Sequence, residues 1–140
     1  MSPATAISVR TLVPSIDTYC FLRRSCGLSP MSEAAAQRGL PNSLFAVQLF
    51  DGETPIGMGR VIGDGGCFYQ VCDICVLPAY QGRGLGKRIM GEISAWLEQN
   101  LADSSYVSLL ADGEAQHLYA QFGFVPTAPR SIGMALRRKR

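Results

Sequence analysis

Between residues 67 and 100 the sequence passes from a run of strand formers, through a proline and a loop with glycine at every second position, into a long helical repeat. The run is CFYQVCDICVL, and Pro78 ends it, because proline donates no ladder bond and restricts the residue before it. In the segment that follows, AYQGRGLGKRIMGEISAWLEQNL, Leu85, Ile89, Ile93 and Leu97 recur every fourth residue, and Met90 and Trp96 widen the apolar stripe. Glycines 82, 84 and 86 at such a junction let a ligand approach the backbone closely, and the unpaired amides of a helix start attract an anion, with phosphate or pyrophosphate the natural guest. A turn that merely tightened the link would leave three helix-weakening glycines without a purpose. Two other phosphate patterns fail on spacing. GxGxxG needs glycine where Lys87 stands, and the P-loop needs Ser or Thr where Arg88 stands, so neither a dinucleotide fold nor an NTPase is supported.

The flanking sequence builds a mixed fold around this junction. Residues 7–12 alternate as an opening strand; Ile16, Tyr19, Cys20, Leu22 and Arg23 follow with helical spacing up to Gly27; SEAAAQR forms a second helix ending at Gly39 and Pro41. Residues 44–50, 56–62 and 67–77 read as three strands, separated by Asp51-Gly52 and by Gly63-Asp64-Gly65-Gly66, which is the pattern of an antiparallel meander. A strand is expected over 106–110. Asp112 is placed to cap a helix whose Ala115, Leu118, Tyr119 and Phe122 share a face and which ends at Gly123, and a last strand is expected over 132–136.

At 140 residues and 47% hydrophobic composition the chain suits one domain with a sizeable core, here 1–136 with a basic tail over 137–140. The net charge of +2 comes from that tail, since its four residues are all cationic and the body is net −2. A nucleic-acid surface is not implied: the RRKR end lacks interleaved aromatics and reads as solvated. No apolar stretch approaches the roughly 20 residues of a membrane span. Five cysteines, an odd set without a leader-like start, argue for a reduced cytoplasmic domain rather than a disulfide scaffold. Cys72 and Cys75 spell CxxC, but on an ideal strand residues three apart face opposite ways, so they read as structural thiols. No His/Cys/Asp cluster shows metal-ligand spacing, so no metal is expected.

The pattern Gln-x-x-Gly-x-Gly in QGRGLG at 81–86, with DICVLPAY before it and LYAQFGF after it, resembles the acetyl-CoA-dependent GNAT superfamily of N-acetyltransferases. The likeness is greatest to the bacterial and plastid branch that includes plant serotonin N-acetyltransferase, and it extends in register from about residue 56 to the end of the chain. It implies an α+β fold with a mixed, mostly antiparallel central sheet flanked by helices and a splayed central strand pair. It also implies acetyl transfer from acetyl-CoA to a primary amine of a small molecule, by direct attack in a ternary complex. Homodimers through late strands are frequent in such domains.

On this resemblance the CoA pyrophosphate would rest on the loop of Gln81, Gly82, Arg83, Gly84, Leu85, Gly86 and Lys87, and the pantetheine arm would run along Ile74, Cys75 and Val76. An amide such as that of Val76 would hold the oxyanion. Tyr119 matches the tyrosine that protonates the leaving thiolate; by helical spacing alone it is a core aromatic. Where some relatives carry a glutamate base, this chain has Cys72, which leaves Asp73 as base or amine-holding anion, or else a water chain. Asp73 reads equally as a structural carboxylate. Asp112 matches a position of the branch near the cofactor and otherwise reads as a helix cap. Arg60 is either a contact to an acidic group in the substrate site or, the safer reading, a solvated strand arginine, and His117 belongs on the surface with Glu114 and Gln121. The competing function class is an acyl-CoA sensor or partner module with little turnover, which the missing glutamate favours and Tyr119 disfavours.

Overall fold

Apolar alternation draws five strands of this chain into one sheet in simple sequence order, β1 (Ile7–Arg10), β2 (Phe45–Asp51), β3 (Thr54–Gly63), β4 (Phe68–Val76) and β5 (Tyr106–Ser108). These elements come from a computed structural model, which describes residues 6–138. The first four strands pair antiparallel and β4 pairs β5 in parallel, so the mixed, mostly antiparallel sheet expected from the sequence is present. The described chain forms two compact units, one ending at Leu109 and the other beginning at Leu110.

In the first unit, α1 (Ile16–Ser25) and α2 (Glu33–Gly39) begin at Ser15 and Ser32, whose hydroxyls accept from the amides of Thr18 and Ala35, both at 3.1 Å. Helix α3 (Leu85–Asn100) buries Leu85, Ile89, Met90, Ile93 and Leu97, the stripe read from the sequence. It lies on one face of the sheet, where the Gly59 backbone leaves room for Ile74, Ile89 and Ile93. On the other face Tyr19 and Leu22 of α1 and Ala36 of α2 pack with Met58 and Cys75. Both faces of β3 are therefore covered.

The pairing of β3 with β4 is irregular at its centre. Met58 pairs with Cys75 and Arg60 with Cys72, so Gly59 alone opposes both Asp73 and Ile74, and β4 carries a bulge there. Asp73 takes a left-handed φ of 62°, uncommon outside glycine though least so for Asp and Asn. The bulge corrects the reading of the CxxC pair. Partners across a ladder share a face, as do Met58 and Arg60 two apart, so Cys72 and Cys75 face the same way. They nevertheless have different neighbours: the Cys72 thiol lies 3.6 Å from Asp73 Oδ2, and Cys75 lies in the core cluster against which Cys26 packs. All five cysteines are free thiols.

The second unit departs further from expectation. Helix α4 (Gln116–Ala120) is one short helix after a 3₁₀ turn at Gly113–Ala115, and Asp112 occupies the cap position without a side-chain bond. Residues 132–136 form no strand: Ile132, Met134 and Leu136 alternate as one would, but their backbone has no ladder to join. Lys139 and Arg140 of the basic tail lie outside the described residues.

Candidate active site

The β4–β5 ladder stops at Gln70↔Ser108, yet β4 runs on to Val76. Among the described residues, one backbone edge of β4 has no strand beside it from Val71 onward, as the splayed pair expected above requires. This open edge leads straight to the glycine loop. Leu77 donates its amide to Ile56 O at 2.8 Å, a 3₁₀ turn at Pro78–Tyr80 reverses the chain, and the Gln81 amide group returns to donate to Val76 O at 3.0 Å. Tyr80 donates to Asp51 Oδ2 at 2.6 Å, and the Arg83 guanidinium lies over its ring, 5.0 Å from the centroid.

Gly82 (φ 81°) and Gly84 (φ 75°) hold left-handed conformations that side-chain-bearing residues resist, and a methyl group at either would meet nothing. Gly84 is the cap residue of α3 and makes no side-chain cap bond. The first turn carries no acid, while Lys87 and Arg88 stand exposed beside it. Uncapped amides, a helix dipole and flanking cations together suit a diphosphate.

Asp73, at the bulge just before Ile74, sits in a buried ionic cluster. Its Oδ1 accepts from Tyr19 Oη at 3.0 Å and from Arg23 Nη1 at 2.5 Å; its Oδ2 accepts from Arg60 Nε at 2.8 Å and lies near the Cys72 thiol. Arg60 also donates to Ser43 Oγ at 2.8 Å, and Arg23 Nε to Ser29 O at 2.7 Å. A carboxylate has about four acceptor positions, and here four donors face it. Arg60 is therefore buried in the cluster rather than solvated, which corrects that reading, and Asp73, 4% exposed at its side chain and held by two guanidiniums, has the surroundings of the structural carboxylate that was its alternative.

The same charges set the titration of the neighbours. Burial, then the Asp73 carboxylate, push the Tyr19 phenol up to about 12. The Cys72 thiol is also pushed up to about 12, by burial and again by Asp73, so it stays protonated at neutral pH. For Arg60, burial favours the neutral form, but Asp73 outweighs it and the guanidinium is held above its ordinary value.

In the second unit Tyr119 is buried on α4, and Asp112 is exposed. His117 sits on the surface with its ring 3.1 Å from Glu114, as its helical position predicts. Sequence reasoning missed Tyr19, Arg23 and Ser43. A usable signal was present: Arg23 stands one helical turn from Tyr19, on the apolar stripe itself, and a charge on such a stripe demands a buried partner.

Comparison with known proteins agrees with this geometry. A model of the acetyltransferase (GNAT) domain matches residues 41–126, more than half of the chain. A GCN5-related N-acetyltransferase of Arabidopsis thaliana, named as chloroplastic, is 36% identical over 69 residues, covering 49% of this chain and 26% of the relative. An uncharacterized protein of Mycobacterium leprae is 33% identical over 126 residues, covering 84% of this chain and 34% of its own length. Among solved structures, a protein of unknown function from meticillin-resistant Staphylococcus aureus is 47% identical, with a TM-score of 0.91 over 94% of this chain and 99% of that one. The chain belongs to the GNAT acetyltransferase family, which implies acyl transfer from an acyl-CoA thioester. It spans about half or less of the length of the curated relatives it matches, for example 44% of a Porphyra purpurea N-acetyltransferase.

Proposed function

We propose that the protein moves an acetyl group from acetyl-CoA to a primary amine of a small molecule, by direct attack of the amine on the thioester. The observation that carries the reading is the continuity of two features in one segment: the open edge of β4 up to Val76, and the uncapped, glycine-bearing start of α3. The diphosphate of CoA lies on Gln81, Gly82, Arg83, Gly84, Leu85, Gly86 and Lys87, and the pantetheine arm follows Ile74, Cys75 and Val76. The new C–N bond forms as the C–S bond breaks, the carbonyl oxygen's developing charge is met by a strand amide such as that of Val76, and Tyr119 gives its proton to the departing thiolate. Asp112 is assigned to cofactor binding on the family resemblance alone. With Cys72 protonated and Asp73 engaged, the ammonium proton leaves through water. The plastid relatives lend no support to the cytoplasmic placement expected from the sequence.

The protonated Cys72 favours one competing reading, an acyl-CoA sensor without turnover. Release of CoA thiol from acetyl-CoA, followed across a panel of primary amines, separates the two. The transfer reading expects release that depends on the amine and saturates in both substrates. It also expects Tyr119→Phe to lower kcat by roughly 10²-fold or more with acetyl-CoA affinity little changed. Amine-independent or absent release supports the sensor, and an unaltered kcat in Tyr119→Phe removes Tyr119 as the acid.

A further inference from the structure

Arg23 and Arg60 converge on one carboxylate from α1 and from β3, so the cluster keeps one net positive charge, with the Tyr19 phenol and Cys72 thiol both neutral. The two arginine side chains are only 11% and 10% exposed. Arg23 commits Nε to Ser29 and Nη1 to Asp73, and Arg60 commits Nε to Asp73 and Nη1 to Ser43. Among the described residues neither Nη2 has a hydrogen-bond partner. Because no buried side-chain nitrogen or oxygen among the described residues lacks a partner, both Nη2 groups must reach solvent. Two guanidiniums are thus held by a shared carboxylate, each with a terminal nitrogen that touches solvent. The cluster borders Ile74, Cys75 and Val76, where the acyl arm is proposed to run.

We infer that Arg23 and Arg60 recognise an oxyanion, a carboxylate or phosphate, carried by the acceptor molecule alongside its amine. Planar guanidinium forks match these groups, and a surplus positive charge with limited access to water discriminates against an acceptor that is purely cationic. Asp73 is here a positioning residue, holding both arginines in place. The inference rests on the acetyl-transfer reading for the identity of the acceptor, but not for the anion site itself.

The test uses the full chain and matched acceptors: α-amino acids against their carboxamides, and phosphoethanolamine against ethanolamine. Turnover is followed by CoA release, and calorimetry with the same compounds and with inorganic phosphate follows binding in the presence of CoA. Loss of one charge-assisted contact corresponds to roughly 10- to 100-fold. The anionic member of at least one pair should be preferred in kcat/KM by that factor, through KM, with the carboxylate and phosphate arms showing which oxyanion the site takes. Arg60→Gln should abolish the preference and Arg60→Lys retain part of it. Equal or better use of the uncharged members overturns the inference and leaves acetyl transfer standing. Arginine-dependent binding of anions without any turnover upholds the inference and overturns acetyl transfer; neither binding nor turnover overturns both. Should Arg60→Gln fail to fold, the wild-type comparison decides alone.

Discussion

A left-handed backbone at a non-glycine strand residue costs about 1–3 kcal/mol, and Asp73 sustains it because the bulge turns its carboxylate toward Arg23 and Arg60. Removing one member of such a buried group leaves charges without a partner. Asp73→Ala is expected to lower unfolding stability by about 3–5 kcal/mol. Asp73→Asn, which tolerates the left-handed backbone but removes the charge and turns one acceptor into a donor, should lose nearly as much. Urea unfolding of both variants checks this, and a small loss in Asp73→Asn would show that the ionic cluster does not hold the bulge. Little of the cluster was legible beforehand. Alternation marks which residues share a face of a strand, but β3 is covered on both faces, so the pattern could not tell a buried Arg60 from a solvated one. The loop residues were legible because a left-handed backbone requires glycine whatever lies around it, as at Gly82 and Gly84.

At the scale of elements, α3 was readable because propensity, periodicity and the preceding loop all agree. The length of β4 was also readable, but not its bulge, since one extra residue leaves the composition of a strand unchanged. Gly59 has no meaning in the sequence alone. In the fold a Cβ there would lie 2.6 Å from Ile74 Cδ1 and 2.8 Å from Ile89 Cγ2, so glycine is what lets α3 pack closely on the sheet. The expected strand over 132–136 failed because a strand's stability lies in its partner, which alternation does not supply. The turn between β3 and β4 yields a pH prediction. Asp64 Oδ1 accepts from the amides of Gly66, Cys67 and Phe68 at 2.8, 2.8 and 3.2 Å, and these bonds hold its carboxyl below the ordinary 3.8. A depressed folded value means that the contribution is present above about pH 4 and is lost as pH falls through the folded value. Wild type should therefore lose stability more steeply than Asp64→Asn as pH falls below about 4; parallel curves would remove the turn from the acid response.

For the whole molecule, the order of elements, the sheet and the glycine loop place the chain in the GNAT family, while the acceptor cannot be inferred from fold. The body carries a net charge of −2, yet the charge at the bulge is locally positive. Local arrangement outweighs the net count, because interactions across a few ångströms of protein are screened far less than those across the surface. The central claim is that the β4 edge and the start of α3 form an acyl-CoA site. Calorimetric titration of the full chain with acetyl-CoA tests it most directly. A saturable one-to-one isotherm is predicted, weakened at least about tenfold in Gly84→Val, whose side chain opposes the left-handed backbone of the α3 cap. No binding at about millimolar acetyl-CoA, or equal affinity in the variant, would contradict it.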